Sequence, residues 1–354
     1  MSLDLLTAYG WNSAWADSFS TLAAPGWIPA RIIEQQRGLW TCVTAAGECA
    51  CRAPGRGETI QAGTGDWVAL EPVADTQLIR AVLPRRSRLS RQAAGLATSE
   101  QILAANMDTL FLCMAIGRDF NMRRLERILT VAWSSGAEPV IVLTKADLVE
   151  PAEAAAGLAA AEAAAPSVPV ALTSGVTGAG VAALAPWLVP GRTVALMGAS
   201  GAGKSTLVNA LAGSDLALTG ALDAEGKGRH TTTWRSLLPL PSGALIIDNP
   251  GIRALQLWDG EGGLDQTFAE IQTLAAACRF RDCRHESEPG CAVRAAIESG
   301  SLDPARLENR RKLAREFAFA ERKQDKALQA AERQHWRRLS SARSKGGPAD
   351  PDLD

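Results

Sequence analysis

The first third of the chain is built from short apolar runs of strand-like composition. WIPARIIEQ (27–35), LWTCVTA (39–45), ECACRAP (48–54), DWVALEP (66–72) and QLIRAVLP (77–84) are rich in aromatic and β-branched residues, and glycine-rich turns separate several of them. Five short strands at this spacing predict a small barrel such as an OB-fold. A basic connector, PRRSRLSR (84–91), follows, and beyond it the pattern changes. TLFLCMAI (109–116), PVIVLTKA (139–146), PVALTSG (169–175), TVALMGAS (193–200) and GALIIDNP (243–250) are near-continuous apolar runs. They alternate with helical stretches, among them FNMRRLERILTVAWSS (120–135) and the alanine-rich 151–165. Continuous apolar strands between helices predict a parallel sheet covered on both faces.

Further on, LDQTFAEIQTLAAAC (264–278) reads as one amphipathic helix with Leu264, Phe268, Ile271 and Leu274 on a common side. A second helical region runs from about 304 to 340. Residues 1–26 lack sustained periodicity and predict a mobile arm, and the polar SKGGPADPDLD predicts a disordered tail. The expected division is an arm (1–26), an OB-fold (27–83), an α/β P-loop domain (84–262), a mostly helical metal-binding domain (263–340) and a tail (341–354).

Composition adds bounds. A length of 354 residues favours two or three domains, and 47% hydrophobic against 21% charged residues supports sizeable cores. MSLDLLTAYGW has no basic segment before an apolar run and carries Asp4, unlike a signal peptide. No apolar stretch approaches the roughly 18 residues a membrane helix needs. Seven cysteines is an odd count, unlike a secreted disulfide framework, so a reduced, soluble, cytoplasmic protein is expected; a monomer is expected as well. The net charge of −1 conceals 13 Lys/Arg against 6 Asp/Glu in 301–345. Such a segment suits a polyanionic partner or a solvated helix surface.

The chemistry begins with GASGAGKS (198–205), which fits G-x-x-x-x-G-K-[ST] between a strand and a helix. Gly198, Ala199, Ser200, Gly201, Ala202 and Gly203 supply backbone amides for phosphate oxygens. Lys204 is expected on the β- and γ-phosphates, Ser205 on Mg²⁺ and Thr206 near the α-phosphate. Downstream, LIIDNPG places Asp248 at a strand end as a second Mg²⁺ residue and the Gly251 amide near the γ-phosphate. Between them lies GKGRHTTTW (226–234), a polar switch-like segment in which one of Thr231 to Thr233 can complete the Mg²⁺ shell, with Thr231 and Thr232 as first candidates.

TKAD (144–147) resembles a guanine-reading loop. Asp147 offers two carboxylate oxygens to guanine N1–H and the exocyclic amine, a donor pair that adenine lacks. Lys145 can lay its stem along the purine, with Ala146 between them. Thr144 stands where asparagine is usual and is expected to reach N7 less well. Ser174 and the amides after it can brace guanine O6, with Gly175 where alanine is usual. The guanine loop precedes the phosphate loop, so the motif order is permuted. Joining old termini and opening another loop preserves the site when the new ends lie on the surface.

GDWVAL, LPRRSRLSR, EQILAANMDTLFL, the permuted motifs, GRHTTT and CRFRDCRHESEPGCAV together resemble the ribosome small subunit-dependent GTPases. The resemblance spans most of 27 to 300 and implies three parts: an OB-fold, a circularly permuted GTPase domain and a zinc-binding domain. It also implies GTP hydrolysis stimulated by the small ribosomal subunit during that subunit's late maturation, with the subunit, its rRNA and GTP/GDP as partners. Cys278, Cys283, His285 and Cys291, spaced C-x4-C-x-H-x5-C, suit a closed tetrahedral zinc site. Buried free thiols or a redox pair are the alternatives from spacing, and the resemblance selects one structural zinc. Cys42, Cys49, Cys51 and Cys113 are expected in cores and His335 at the surface.

Ile252 follows DNPG where many GTPases carry a water-orienting glutamine, so intrinsic hydrolysis should be slow. His230 either positions water once a partner orders the switch or caps that segment. Two other readings fit some of these features: an RNA-binding module that holds GTP without significant hydrolysis, and an ATP-dependent P-loop enzyme.

Overall fold

A computed structural model of the chain describes residues 4–36, 39–55, 60–73, 76–92, 100–117, 120–213, 235–248 and 261–322. It opens with two helices, α1 (Asp4–Ala8) and α2 (Ser13–Leu22). The strands β1 (Ile28–Gln36), β2 (Leu39–Thr44), β3 (Gly47–Arg52), β4 (Trp67–Val73) and β5 (Thr76–Val82) follow. β1 pairs antiparallel with both β2 and β4, β3 pairs with β2 and β5, and β5 pairs with β4, which closes a five-stranded barrel. Ala30, Ile32, Cys42, Cys51, Val68 and Ile79 fill its interior. Alternate residues of the same strands, Ile33, Val43 and Trp67, face outward into a second core.

That outward face seats the N-terminal segment. Residues 4–22, expected to be part of a mobile arm, form helices whose Leu6, Trp11 and Trp15 are buried. Trp11 meets Trp67 edge-on at 4.8 Å between ring centroids. Indole burial contributes enough apolar area to dock so short a segment. Arg31, buried under these rings, donates to the carbonyls of Tyr9, Gly65 and Asn106 and to the Thr193 hydroxyl. Burial pulls its guanidinium down to about 10, against the nearby Asp108 and Asp66 charges that hold it up.

A hairpin of β6 (Arg88–Gln92) and β7 (Glu100–Ala105) replaces the expected connector. The second sheet then gathers β8 (Thr109–Ala115), β9 (Glu138–Thr144), β10 (Val170–Leu172), β11 (Thr193–Met197), β12 (Arg235–Pro239) and β13 (Leu245–Asp248). Their spatial order is β10-β9-β8-β11-β13-β12, parallel except for β12, and β12 also pairs with β1 of the barrel. Helices α3 (Met122–Ser135) and α4 (Pro151–Ala164) lie on one face with Leu110, Leu112, Met114 and Ile141. Helix α5 (Lys204–Ala212) and the turn Val181–Trp187 lie on the other with Phe111, Cys113, Val140 and Leu196. Period-two strands buried on both sides therefore give the near-continuous apolar runs of the sequence.

The C-terminal part contains α6 (Glu261–Thr267), α7 (Ala269–Ala276), α8 (Ala292–Glu298) and a helix, α9, described over 304–322. The single helix expected over 264–278 is two, broken at Phe268 (φ −119°, ψ 42°), whose ring is fully buried in this part's core. Glu126 of α3, 3% exposed, docks this core onto the sheet domain by accepting from Arg306 at 3.0 Å and from Asn309. Burial raises the Glu126 carboxyl, while Asn309 and Arg306 oppose that rise. Arg306 also reaches Glu270 and the carbonyls of Ala164 and Thr267. Glu126→Ala takes the acceptor from the buried Asn309 amide and one of two carboxylates from Arg306, with an expected loss of about 2 kcal/mol on denaturant unfolding. A variant with the wild-type midpoint would show that the contact contributes nothing. No helix among the described residues is long and apolar enough to cross a membrane.

Candidate nucleotide site and metal centre

The parallel strands deliver the predicted loops to one edge of the sheet. TKAD starts on the last residue of β9, Ser174 lies just beyond β10, the phosphate loop follows β11, and Asp248 ends β13. The carboxyl ends of parallel strands are where α/β sheets bind ligands.

In the phosphate loop, Gly203 adopts φ +77° and caps α5, a conformation that suits glycine. The Lys204 ammonium folds over the loop, donating to the carbonyls of Gly198 at 2.9 Å and Ala199 at 2.8 Å. Ser205 and Thr206 are exposed in the first turn of α5, as are Ser200 and Gly201 before it, while Ala202 is buried. Anions are favoured at such a helix start by its free amides and dipole.

On the guanine side, Lys145 takes φ +62°, which swings Ala146 and the exposed Asp147 out of the strand direction. The Ala146 amide is held by the Thr173 carbonyl at 3.1 Å. Ser174 is buried, its hydroxyl accepting from the Thr177 amide at 3.1 Å, so it closes its own loop. A Cβ on Gly175 would stand 3.0 Å from the carbonyl carbon and oxygen of Thr206, which accounts for glycine here. Thr144 is buried, and its hydroxyl donates to the Ala202 carbonyl at 2.7 Å. Sequence reasoning missed that bond, because nothing local to TKAD signals it. His230, Thr231, Thr232, Gly251 and Ile252 lie outside the described residues, and Asp248 is described only by its backbone pairing with Ser236.

The second cluster forms between α7 and α8. The ligand atoms of Cys278, Cys283, His285 and Cys291 all lie within 4.8 Å of one another, an arrangement that could hold one metal ion. The Cys278 and Cys291 sulfurs are 3.9 Å apart, and His285 Nδ1 is 3.6 Å and 3.4 Å from them. Tetrahedral bonds of about 2.3 Å to sulfur space two thiolates about 3.8 Å apart, so the donor set fits such an ion. Cys291 caps α8, its sulfur accepting from the Arg294 amide at 3.4 Å. Glu288, another residue that sequence reasoning did not single out, organises the loop between the ligands. Its carboxylate accepts from the amides of Arg284, Glu286 and Ser287, which hold its pKa down at about 2.

A sequence model of the family described as RsgA GTPase matches residues 82–258. A curated protein from Opitutus terrae, the small ribosomal subunit biogenesis GTPase RsgA, is 47% identical over 352 residues, covering 94% of this chain and 95% of its own. The Streptomyces coelicolor protein of the same name is 46% identical, covering 94% and 92%. The chain belongs to the RsgA GTPase family. Among solved structures, YjeQ from Thermotoga maritima superposes with a TM-score of 0.61 at 25% identity, covering 82% of this chain and 99% of that one. YloQ, described as a circularly permuted GTPase, gives 0.58 at 23% identity, covering 82% and 95%. The RsgA-type fold here is thus the OB barrel, the circularly permuted GTPase sheet and a helical C-terminal part with a Cys/His cluster. The permuted order read from TKAD and GASGAGKS is a property of the fold.

Proposed function

We propose that this protein hydrolyses GTP, stimulated by the small ribosomal subunit, in the late maturation of that subunit. The convergence of a guanine-type loop and a phosphate loop on one sheet edge carries the reading, and the near-full-length relatives named for small-subunit biogenesis supply its setting.

Asp147 reads guanine through N1–H and the exocyclic amine, with the Lys145 stem and Ala146 along the purine and the backbone at Ser174 and Gly175 at O6. The amides from Gly198 to Ser205 cradle the phosphates, Thr206 lies near the α-phosphate, and the Gly251 amide faces the γ-phosphate. Ser205, Asp248 and Thr231 or Thr232 hold Mg²⁺, which neutralises charge on the β- and γ-phosphates when bound. Lys204 adds a point charge to the same oxygens. Ile252 cannot orient water, so a partner completes the site, and His230 is the group that positions water once that partner is bound. Cys278, Cys283, His285 and Cys291 would hold zinc, with a structural role because four protein ligands leave no open position.

The partner surfaces are the barrel, the arginines of 80–91 and the basic segment 301–345, which suit rRNA phosphates. The protein acts in the cytoplasm as a monomer. Turnover measured with and without small subunits tests the proposal. Stimulation of at least about tenfold is expected, a lower bound beside the roughly 10³- to 10⁵-fold that a partner-supplied group reaches in other GTPase sites. Tight GTP binding without stimulated turnover would instead favour a GTP-dependent RNA-binding module.

A further inference from the structure

We propose that Arg31 is a positioning residue for the partner-stimulated reaction: it fixes the barrel to the strand that leads into the phosphate loop. The proposal rests on the reading of a GTPase completed by a partner that docks on the barrel, and names the joint which that reading requires.

Arg31 lies on β1 of the barrel and is 2% exposed. Its guanidinium donates to the carbonyls of Gly65 and Asn106 at 3.2 Å each, to the Thr193 hydroxyl at 2.8 Å and to the Tyr9 carbonyl. None of these acceptors is a carboxylate. The group nevertheless stays charged at neutral pH, since burial lowers it only to about 10. Burying a charge among neutral acceptors is costly, and an apolar residue would fill the space at less cost. What the guanidinium offers is a rigid fork, whose fixed N–H directions set the relative placement of the groups it binds. Those groups come from separate parts of the chain: the turn between α1 and α2, the barrel, the turn between β7 and β8, and β11.

Thr193 is the acceptor that bears on GTP. It is the first residue of β11, and the phosphate loop opens at Gly198, directly after that strand's last residue, Met197. The Thr193 amide donates to the Asp108 carboxylate at 2.7 Å, so the start of the strand is held from two sides. A Cβ on Gly10 would stand 2.6 Å from the Gly191 carbonyl oxygen, so the N-terminal segment also packs on the lead-in to β11. The barrel meets the sheet again where β1 pairs with β12, in the described register Glu34–Ser236 and Gln35–Arg235. Two residue pairs make a narrow hinge, and Arg31, further back along β1, supplies a second fixed point.

The physical requirement is alignment. A group supplied by a partner on the barrel acts only when it meets the reacting phosphate in the right geometry, and a misplacement of about 1 Å can cost on the order of 10²-fold. The joint at Arg31 sets that geometry. Nucleotide binding and unstimulated turnover use loops at the other end of the same strands.

The test measures GTP affinity, unstimulated turnover, subunit affinity and turnover at saturating small subunit, all on the full chain. Thr193→Val removes the hydroxyl and keeps a branched strand residue. Its stimulated turnover is expected to fall roughly tenfold, with the other three quantities within about twofold of wild type. Thr193→Ser, which keeps the hydroxyl, is expected to retain wild-type stimulation. Arg31→Met, which removes every bond of the joint, is expected to lose more stimulation than Thr193→Val; if it does not fold, the Thr193 pair decides. Unchanged stimulation in Thr193→Val would overturn the proposal, as would a Thr193→Ser protein that behaves like it. An equal loss of stimulated and unstimulated turnover would overturn it too, by marking a bond that only maintains the fold. So would a loss confined to subunit affinity, which marks a partner contact. Wild-type protein that subunits do not stimulate would sink the reading of a partner-completed GTPase itself, a result distinct from all of these.

Discussion

Lys204→Ala is expected to lower subunit-stimulated GTP turnover by roughly 10²- to 10³-fold, as loss of one preorganised electrostatic donor does. The ammonium stands at the first residue of α5 and is held over the loop by the Gly198 and Ala199 carbonyls, 2.9 Å and 2.8 Å away. Those contacts are to the loop's own backbone, so the charge is positioned before any phosphate competes for it. Exchanging two neutral carbonyls for phosphate oxygens gains charge-assisted bonds at little reorganisation cost. Alanine removes the charge and the positioning together, while the buried residues of α5, Leu207 and Val208, stay in place. The thermal unfolding midpoint should therefore be near wild type. Lys204→Arg should not rescue turnover, because a planar fork does not reproduce a compact ammonium. Single-turnover hydrolysis beside thermal unfolding checks both parts, and turnover within threefold of wild type would take Lys204 out of the phosphate site.

Removing the metal should have the largest effect on stability. The core of the C-terminal part is small, built from Leu264, Phe268, Ile271, Cys291, Val293, Leu302, Leu307 and Leu313. So small a core adds little stability by itself, whereas structural zinc contributes on the order of 10 kcal/mol in comparable small sites. One ligand, Cys291, belongs to that core and also caps α8, so ion, cap and packing are lost together. Chelation or Cys291→Ser is expected to remove one zinc per chain by elemental analysis. It should also produce an early unfolding transition confined to the C-terminal part. GTP affinity should persist, since the candidate nucleotide loops at the carboxyl ends of the strands contribute nothing to this core. Full-length protein with no bound zinc and a single unchanged transition would contradict the site.

Much of this architecture is legible in the sequence because it depends on neighbours along the chain. The five barrel strands begin and end within a few residues of the runs that predict them, from WIPARIIEQ for β1 to QLIRAVLP for β5. The same holds for the parallel strands, since a residue buried on either face of a sheet has to be apolar whichever helix covers it. The Cys/His cluster that could hold a metal is legible for a different reason: four soft or imidazole donors within 14 residues have few other uses. The departures have physical causes too. Residues 4–22 show no clean period because their buried side chains, Leu6, Trp11 and Trp15, are anchors on a barrel face and not a continuous stripe. The 88–92 strand exists only through its pairing with 100–105, which no feature of RLSRQ announces. The break at Phe268 follows from how the C-terminal core seats that ring, and the 3.6-residue period runs through it unbroken.

The sequence by itself determined the order of the motifs, and with it the permutation, the barrel before the GTPase sheet and the donor set of the metal cluster. These are one-dimensional facts, set by residue identity and spacing. Tertiary structure alone decided which partner each polar group acquired. The Thr144 proton goes to Ala202, the Glu126 carboxylate to Arg306 and Asn309, and the Arg31 guanidinium to the carbonyls of Tyr9, Gly65 and Asn106. A buried hydrogen bond is formed with whichever complementary group the folded chain brings within about 3 Å, and that proximity is not encoded by any neighbour in sequence.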